Sequence, residues 1–360
     1  MSGTELPVPT GRFGVGRTKF DLMDEARAET LDPDGCGGKR ELVVWVWYPA
    51  RPGEGDRAVR YLPEGWERSD DVVGMQLGTD VLTCHSVEDA PLEASEAPYP
   101  VVLFSASGFS PLSYAALVED LASHGYVVMS VCHTYEAPVT VFGDGRAMFA
   151  DPAYMTRIAY GRGAYQDEFR FRAEVAELKR DDLRFVASQL GNLPAPLEGH
   201  LDLDRVGAFG HSLGGNAALG FCRIDDRCRA AVNLDGGNWG DVGDLGLAKP
   251  ALIVASEHPE MLAPAEQMVA AGAYPDVEWC LADRASLFDG WQKVVETGRP
   301  GSIVTIEGAR HASFADVQFV LLAADSPLRA IMGPIEPRSM WRQTSDLLLG
   351  FFGEHLVPRA

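Results

Sequence analysis

The sequence of 360 residues has few lysines, few cysteines and no long hydrophobic run. Acidic residues outnumber basic ones by 52 to 31, which gives a formal net charge of −21. This charge repels phosphate backbones and anionic lipid surfaces, so it argues against nucleic-acid binding and against electrostatic docking on a membrane. Only five of the 31 basic residues are lysines. That bias fits a GC-rich genome or a salt-adapted surface equally well.

The six cysteines are too few for a disulfide scaffold in a chain of this size. None belongs to a Cys-X-X-Cys pair or to a cluster with zinc-ligand spacing, so we expect buried thiols and no metal site. No apolar run approaches the roughly 18 residues that a membrane-spanning helix needs. The start of the chain lacks the basic stretch and apolar core of a secretory signal. We therefore expect a cytoplasmic protein without an integral membrane segment, unless a leader precedes this start.

Apolar runs of strand length alternate with helical patterns along most of the chain. The predicted strands are residues 41–48, 99–107, 126–132, 205–211, 229–235, 250–256 and 302–307. Several are apolar without alternation, as is typical of parallel strands covered on both faces. The order predicts one α/β domain over residues 1–360, with a mostly parallel central sheet flanked by helices. Segments near 17–23 and 41–48 are predicted as antiparallel edge strands.

Two stretches interrupt this alternation. Residues 51–97 are rich in proline, glycine and acids, and residues 133–166 carry glycine, proline and aromatic residues. Long irregular segments inside compact domains are usually binding loops or lids. We therefore expect the insertion at 133–204 to form a cap or pocket wall, with a helix from about 167 to 190 inside it.

The most informative segment is 205–216, which reads RVGAFGHSLGGN. An apolar strand leads into the pattern Gly-His-Ser-Leu-Gly, and a helix of small residues follows. A serine on such a tight strand-to-helix turn has its hydroxyl exposed at the carboxyl end of the sheet. We therefore predict that Ser212 is a nucleophile. His211 points away from it on this turn, and its ring is expected to pack underneath.

A serine hydroxyl needs a base, and the base needs an orienting acid. In folds with this kind of turn, the chain order is serine, acid, histidine. Among eight histidines, His311 follows the last predicted strand, where the base belongs. Two acids compete for the remaining role. Asp235 ends the strand 229–235 and Glu257 follows the next strand, and spacing alone leaves both open.

The negative charge of a tetrahedral intermediate requires two backbone N–H groups aimed at one point. One is expected from Leu213, directly after the nucleophile. The other is expected from Phe109, in the loop after strand 99–107, where Gly108 permits a turn. Phe109 and Leu213 are therefore the predicted oxyanion-hole donors.

Several segments, in this order, resemble the plasma-type platelet-activating-factor acetylhydrolase family, a group of calcium-independent serine esterases. They are the opening PTGRFGVGRTKFDLMD with the later VWVWYPAR, then SGFSPLSYAALVEDLASHGYVV, AFGHSLGGN, NLDGG and IEGARHASFAD. The resemblance covers most of the chain and implies an α/β-hydrolase fold that needs no metal or organic cofactor. It also implies that Asp235 completes the catalytic set with Ser212 and His311, and that Glu257 is a non-catalytic neighbour.

The chain departs from the family pattern near the predicted substrate pocket. Ser107 stands where the family usually has histidine before the oxyanion-loop glycine, and Ala312 stands where a polar amide is usual. The loop after Asp235 runs GGNW and brings in Trp239. We expect Trp239 and Ala312 to contact substrate, but substrate identity does not follow from the resemblance. The SGFS loop also resembles bacterial cutinases and polyester hydrolases.

Together these features predict a serine esterase acting on carboxylic esters with short or truncated acyl groups. Phospholipid-like esters with an sn-2 acetyl or oxidised chain belong to this class. The expected partner is a small-molecule ester or lipid, and the sequence does not indicate an oligomeric state. A cutinase-like polyesterase and an acyl-transfer enzyme of a biosynthetic pathway are alternatives. A non-catalytic binding protein on a hydrolase scaffold is the alternative from another class, because fold alone does not fix function.

Overall fold

The computed structural model describes residues 5–53, 55–69, 72, 79–161, 163–320 and 331–357. The strands are β1 Gly14–Ala28, β2 Lys39–Ala50, β3 Val87–Glu88, β4 Tyr99–Ser105, β5 Val127–His133, β6 Val139–Val141, β7 Ala147–Phe149, β8 Leu201–His211, β9 Cys228–Leu234, β10 Ala251–Ala255 and β11 Gly301–Thr305. Nine of these form one sheet in the order β11-β10-β9-β8-β4-β5-β2-β1-β3, and β6 pairs with β7 separately.

The sheet is parallel through its centre. Strands β4, β5 and β8 to β11 run parallel to one another, as their unbroken apolar runs predict. Strand β2 is antiparallel to both β5 and β1, as predicted. The prediction that these two are edge strands is wrong, because β2 lies between β5 and β1, and β1 also pairs with the short strand β3. On β2, Trp45 and Trp47 pack into one apolar cluster while Val44 and Val46 pack into another, because alternate residues face opposite sides.

Helices cover both faces of the sheet. They are α1 Ala115–Ser123, α2 Pro152–Tyr160, α3 Tyr165–Gln189, α4 Leu213–Ile224, α5 Asp241–Leu245, α6 Ala265–Ala270, α7 Val277–Arg284, α8 Gly290–Thr297 and α9 Pro337–Leu356. Residues of α1 and α9 pack on one side, and residues of α3, α4 and α8 pack on the other. In the part of the chain described, no helix has the length and apolar character required to span a bilayer.

The segment 133–204 contains two kinds of structure. Its first part holds the β6–β7 hairpin and α2, whereas most of α3 belongs to the helical layer on the sheet. The buried face of α3 includes Val175, Leu183 and Val186, as the apolar spacing predicts, but also the charged residues Lys179 and Asp182. That the insertion 133–204 forms a cap or pocket wall stays a prediction.

The apolar stretch after His311 does not form a regular helix in its described part. The apolar pattern of 313–322 is helix-like, but the chain instead forms two short 3₁₀ turns, His311–Phe314 and Asp316–Phe319; residues 321 and 322 lie outside the described part. Asp316 is buried and accepts a hydrogen bond from the hydroxyl of Tyr61 (3.0 Å) and from the backbone N–H of Ala116 (3.3 Å). These contacts with distant segments hold the loop in its two short turns, and a regular helix does not form there.

Candidate active site

Ser212 occupies the turn between β8 and α4 with φ of 60° and ψ of −131°, a conformation that non-glycine residues rarely adopt. Glycines make this turn possible. A Cβ on Gly210 would lie 2.1 Å from the carbonyl oxygen of Gly214, and a Cβ on Gly214 would lie 2.0 Å from the carbonyl oxygen of Ser105. The turn therefore packs closely against the end of β4 and leaves the side chain of Ser212 only partly buried.

The structure brings Ser212, Asp235 and His311 together at the carboxyl edge of the sheet. His311 Nε2 lies 3.1 Å from Ser212 Oγ, and His311 Nδ1 lies 2.8 Å from Asp235 Oδ2. Because the carboxylate faces Nδ1, the proton of the neutral ring belongs on Nδ1, and the lone pair of Nε2 faces the serine hydroxyl. In this arrangement an imidazole can accept a proton from a serine.

Asp235 follows β9 in a left-handed conformation, with φ of 56°. Its backbone N–H donates to the carbonyl of Val254 on β10 (2.9 Å), and the Ser212 N–H donates to the carbonyl of Leu234 on β9 (3.0 Å). Gly236 allows the close approach, since a Cβ there would lie 2.0 Å from the carbonyl oxygen of Ser212. Neighbouring strand ends thus hold the acid against the serine turn.

Four groups surround the carboxylate of Asp235, which is 1 % exposed. Besides His311, it accepts hydrogen bonds from the Ser256 N–H (2.7 Å) and hydroxyl (2.8 Å), and His258 Nε2 lies 3.0 Å from Oδ1. Burial alone raises the pKa of Asp235, but the hydrogen bonds and charges of His258 and His311 outweigh it and hold the pKa well below its usual range. Asp235 is therefore ionised at neutral pH.

Sequence reasoning assigned no role to His258, because that residue follows an earlier strand than the last. Its position just after β10 is nevertheless informative, since β10 pairs with β9 and β9 leads to Asp235. Residues just beyond the ends of adjacent parallel strands lie close together.

Glu257, the competing acid, follows β10 and pairs with Arg310. Its carboxylate contacts Arg310 Nη1 at 3.3 Å, and its side chain is 40 % exposed. Its backbone N–H donates to the carbonyl of Ala309. The partner of the His311 ring in the structure is Asp235 and not Glu257.

His211 is fully buried beneath the turn, as expected from its position. The hydroxyl of Tyr114 donates to Nδ1 (2.7 Å), and Nε2 donates to the backbone carbonyl of His311 (2.9 Å). Burial lowers the pKa of His211 to about 3, and the nearby His311 acts in the same direction. The neutral His211 ring therefore holds the His311 backbone and takes no proton from Ser212.

This buried ring makes stability depend on pH. The pKa of His211 is about 3 in the folded chain against a usual 6.5, so the unfolded chain binds the extra proton as the pH falls below 6.5. Proton binding by the unfolded chain therefore lowers the contribution of His211 to the free energy of unfolding by about 2 kcal/mol between pH 7 and pH 5. We expect the destabilisation caused by His211→Gln, measured by urea unfolding, to shrink by about that amount at pH 5. An equal destabilisation at both pH values would contradict the neutral, buried state of the ring.

The predicted oxyanion donors lie on either side of the serine turn. Leu213 is the first residue of α4, so its N–H has no acceptor within the helix. On β4, Ser105 pairs with Gly210 of β8, and the chain then turns at Gly108, where φ is 74°. The loop of Phe109 therefore starts from the strand end that pairs with the strand leading to the serine. That both N–H groups point to one oxyanion stays a prediction.

Trp239 and Ala312, the predicted substrate contacts, differ in their surroundings. Trp239 packs in a small apolar cluster with Leu213. Its ring meets Phe169 edge to face with centroids 6.3 Å apart, and Phe169 meets Trp279 in the same way at 5.7 Å. We call Phe169, Trp239 and Trp279 the aromatic wall. Ala312 follows His311 but is only 2 % exposed, so its side chain offers little surface to a ligand.

The cysteines carry free thiols, and all except Cys36 are buried. Over the described ranges, no group of three or more histidine, cysteine, aspartate or glutamate side chains is placed to hold a metal ion.

Comparison with known proteins gives consistent matches. The family model named platelet-activating factor acetylhydrolase, isoform II, matches residues 67–182 and 188–357. A probable 1-alkyl-2-acetylglycerophosphocholine esterase of Arthroderma benhamiae is 30 % identical over 269 residues, which cover 67 % of this chain and 61 % of the relative. The platelet-activating factor acetylhydrolase of Bos taurus is 22 % identical over 306 residues, which cover 79 % of this chain and 63 % of the relative. The chain thus spans about three fifths of the length of these relatives.

Among solved structures, a ferulic acid esterase from Streptomyces cinnamoneus superposes with a TM-score of 0.74 and 27 % identity. The superposition covers 99 % of this chain and 94 % of that one. The predicted α/β-hydrolase fold is confirmed by this likeness and by the mostly parallel sheet. Since the family model matches most of its length, the chain belongs to the platelet-activating factor acetylhydrolase, isoform II, family.

Proposed function

We propose that the chain is a serine esterase that hydrolyses carboxylic esters through an acyl-enzyme. The observation that carries this proposal is the continuous contact from Ser212 Oγ to His311 Nε2 (3.1 Å) and from His311 Nδ1 to Asp235 (2.8 Å). A serine becomes a useful nucleophile only when a base and an orienting acid are in reach. The names of the family and of the relatives, which are esterases and acetylhydrolases, support the same reaction class.

In the proposed mechanism, Ser212 Oγ attacks the ester carbonyl carbon as His311 Nε2 accepts the hydroxyl proton. The backbone N–H groups of Phe109 and Leu213 stabilise the negative carbonyl oxygen. The bond to the leaving alcohol then breaks, and His311 gives that alcohol its proton. Water attacks the acyl-enzyme by the same route, releasing the acid and restoring Ser212. Asp235 stays ionised throughout and keeps the His311 proton on Nδ1.

Hydrolysis is favoured over acyl transfer by the exposure of the base. The side chain of His311 is 47 % exposed, so water reaches the ring directly. An acyltransferase must instead keep water away from its acyl-enzyme.

For the substrate, we propose esters with a short or truncated acyl group, including phospholipid-like esters with an sn-2 acetyl chain. Two relatives support this class: the one from Arthroderma benhamiae is named a probable 1-alkyl-2-acetylglycerophosphocholine esterase, and the one from Bos taurus is named a platelet-activating factor acetylhydrolase. A screen of p-nitrophenyl esters of increasing acyl length, run beside a phospholipid with an sn-2 acetyl group, tests it. We expect kcat/KM to be highest for the short chains and to fall by at least about tenfold for long ones. A preference for long chains would contradict the proposal.

A second candidate substrate is an ester of an aromatic acid. The aromatic wall packs next to Leu213, and the solved relative is a ferulic acid esterase. Aromatic rings bind other rings in offset or edge-to-face contacts, so this wall suits a planar aryl acyl group.

Replacing Trp239 separates the two candidates. If the aromatic wall binds an aryl acyl group, Trp239→Ala should lower kcat/KM for methyl ferulate by about tenfold or more, because it removes a stacking surface. The acetyl ester of p-nitrophenol, measured on the same variant, should change by less than about threefold and serves as the control. Equal losses on both esters would assign Trp239 to the packing of the serine turn.

A further inference from the structure

One of the five lysines of the chain lies in the protein interior. Lys179, on α3, is completely buried, and its Nζ lies 2.5 Å from Oε2 of Glu136, which is 2 % exposed. Removing two charges from water costs about as much free energy as their attraction returns, so a buried ion pair is weak evidence for a stabilising role.

The second oxygen of Glu136 points to the predicted oxyanion loop. Oε1 accepts a hydrogen bond from the hydroxyl of Ser107 at 2.9 Å. Ser107 is 4 % exposed and lies two residues before Phe109, immediately ahead of the positive-φ turn at Gly108. The bond therefore anchors this loop just ahead of the Gly108 turn.

The anchor is built from three separate segments. Ser107 follows β4, Glu136 follows β5 and Lys179 lies on α3. Strands β4 and β5 are paired, and Ser105 pairs with Val131 close to their ends. Residues on or next to β4, β5 and α3 thus support the loop. Support of this kind holds the donor groups of a site within a few tenths of an ångström of the required position.

We propose that Glu136 is a positioning residue: its carboxylate holds Ser107, and so directs the Phe109 N–H to the oxyanion, while Lys179 compensates its buried charge. This inference rests on the proposed esterase function. None of the three side chains contacts substrate in the proposed mechanism. Their effect should therefore appear in the stabilisation of the transition state and not in the binding of the ground state.

The first test is Ser107→Ala, which removes the hydroxyl that Glu136 holds. Losing one oxyanion donor outright lowers kcat by about 10²–10³-fold. A donor that is present but loosely held should cost less, so we expect a loss of about tenfold in kcat on p-nitrophenyl acetate with KM changed by less than about twofold. The matched control is Ser123→Ala. It removes a buried serine hydroxyl at the end of α1, which donates to the carbonyl of Asp120 and accepts from the N–H of Gly11.

A pair of double variants isolates the acceptor. Glu136→Gln with Lys179→Met removes both charges but keeps an amide oxygen for Ser107, whereas Glu136→Leu with Lys179→Met also removes the acceptor. Neither leaves an unpaired buried charge, so both are expected to fold. We expect the first to keep kcat within about threefold of the wild type and the second to lose about tenfold. The affinity of a trifluoromethyl ketone, which forms a tetrahedral oxyanion on the serine, should follow kcat in every variant.

The possible results distinguish failure of the positioning role from failure of the proposed function. If the glutamine and leucine double variants have the same kcat, or if Ser107→Ala loses no more than Ser123→Ala, the positioning role is wrong even though the esterase remains. If the folded wild-type protein has no turnover that depends on Ser212 and binds no ketone, the proposed function fails and the positioning role fails with it.

Discussion

Ser212→Ala should abolish ester hydrolysis, with a loss of at least about 10⁴-fold in kcat on p-nitrophenyl acetate. The reason is that the acyl-enzyme requires the oxygen that lies 3.1 Å from His311 Nε2. In serine hydrolases, removal of the nucleophile lowers kcat by as much as about 10⁶-fold, and binding with the oxyanion hole accounts for the remaining rate. Initial rates of p-nitrophenol release measure the change directly.

The fold should survive this substitution. Alanine accepts the same backbone conformation about as poorly as serine, so the strain at φ of 60° is already present in the wild type. We expect a Tm within a few degrees of the wild-type value. A well-folded Ser212→Ala protein with full activity would refute the proposed mechanism.

The second large effect is expected from the acid. Asp235→Asn should lower kcat by about 10⁴-fold, because an amide in place of the orienting carboxylate favours the wrong tautomer of the base. The other hydrogen-bond partners of the Asp235 carboxylate should make this loss of kcat larger. The Ser256 N–H and hydroxyl and the ring of His258 compete for the single oxygen that an amide offers.

Glu257→Gln is the matched control for this prediction. It makes the same chemical change at the end of the next strand, on a side chain that pairs with Arg310 and not with His311. We expect its kcat to stay within about threefold of the wild type. Damage confined to the Glu257 variant would overturn the assignment of the acid.

Much of this site could be predicted from local sequence. The nucleophile turn is encoded in one continuous stretch, because the strand, the flanking glycines and the helix of small residues are adjacent in the chain. In the structure, Gly210 and Gly214 permit the close packing of this turn. His311 could be selected from eight histidines because it follows the last strand. The family predicted from the ordered motifs is confirmed by the match over residues 67–182 and 188–357.

Other features depend on which strands are neighbours, and sequence spacing does not reveal that. Asp235 and Glu257 follow adjacent strands, so only the three-dimensional arrangement or the family resemblance separates them. The place of His258 follows from the pairing of β9 with β10. Lys179 lies on the buried face of α3, four residues from both Val175 and Leu183, so its position follows the apolar spacing. Its ion-pair partner is 43 residues away in the chain, and spacing does not identify it. A buried ion pair carries no periodic signal.

The most direct test of the central claim is covalent labelling of the folded protein by a fluorophosphonate. The proposed site predicts one adduct per chain, located by peptide mapping at Ser212, with loss of all esterase activity in proportion to labelling. His311→Ala should slow the labelling by several orders of magnitude, since the hydroxyl then lacks its base. A folded protein that forms no adduct, or that is labelled elsewhere while its esterase activity persists, would contradict the claim and favour a binding protein on a hydrolase scaffold.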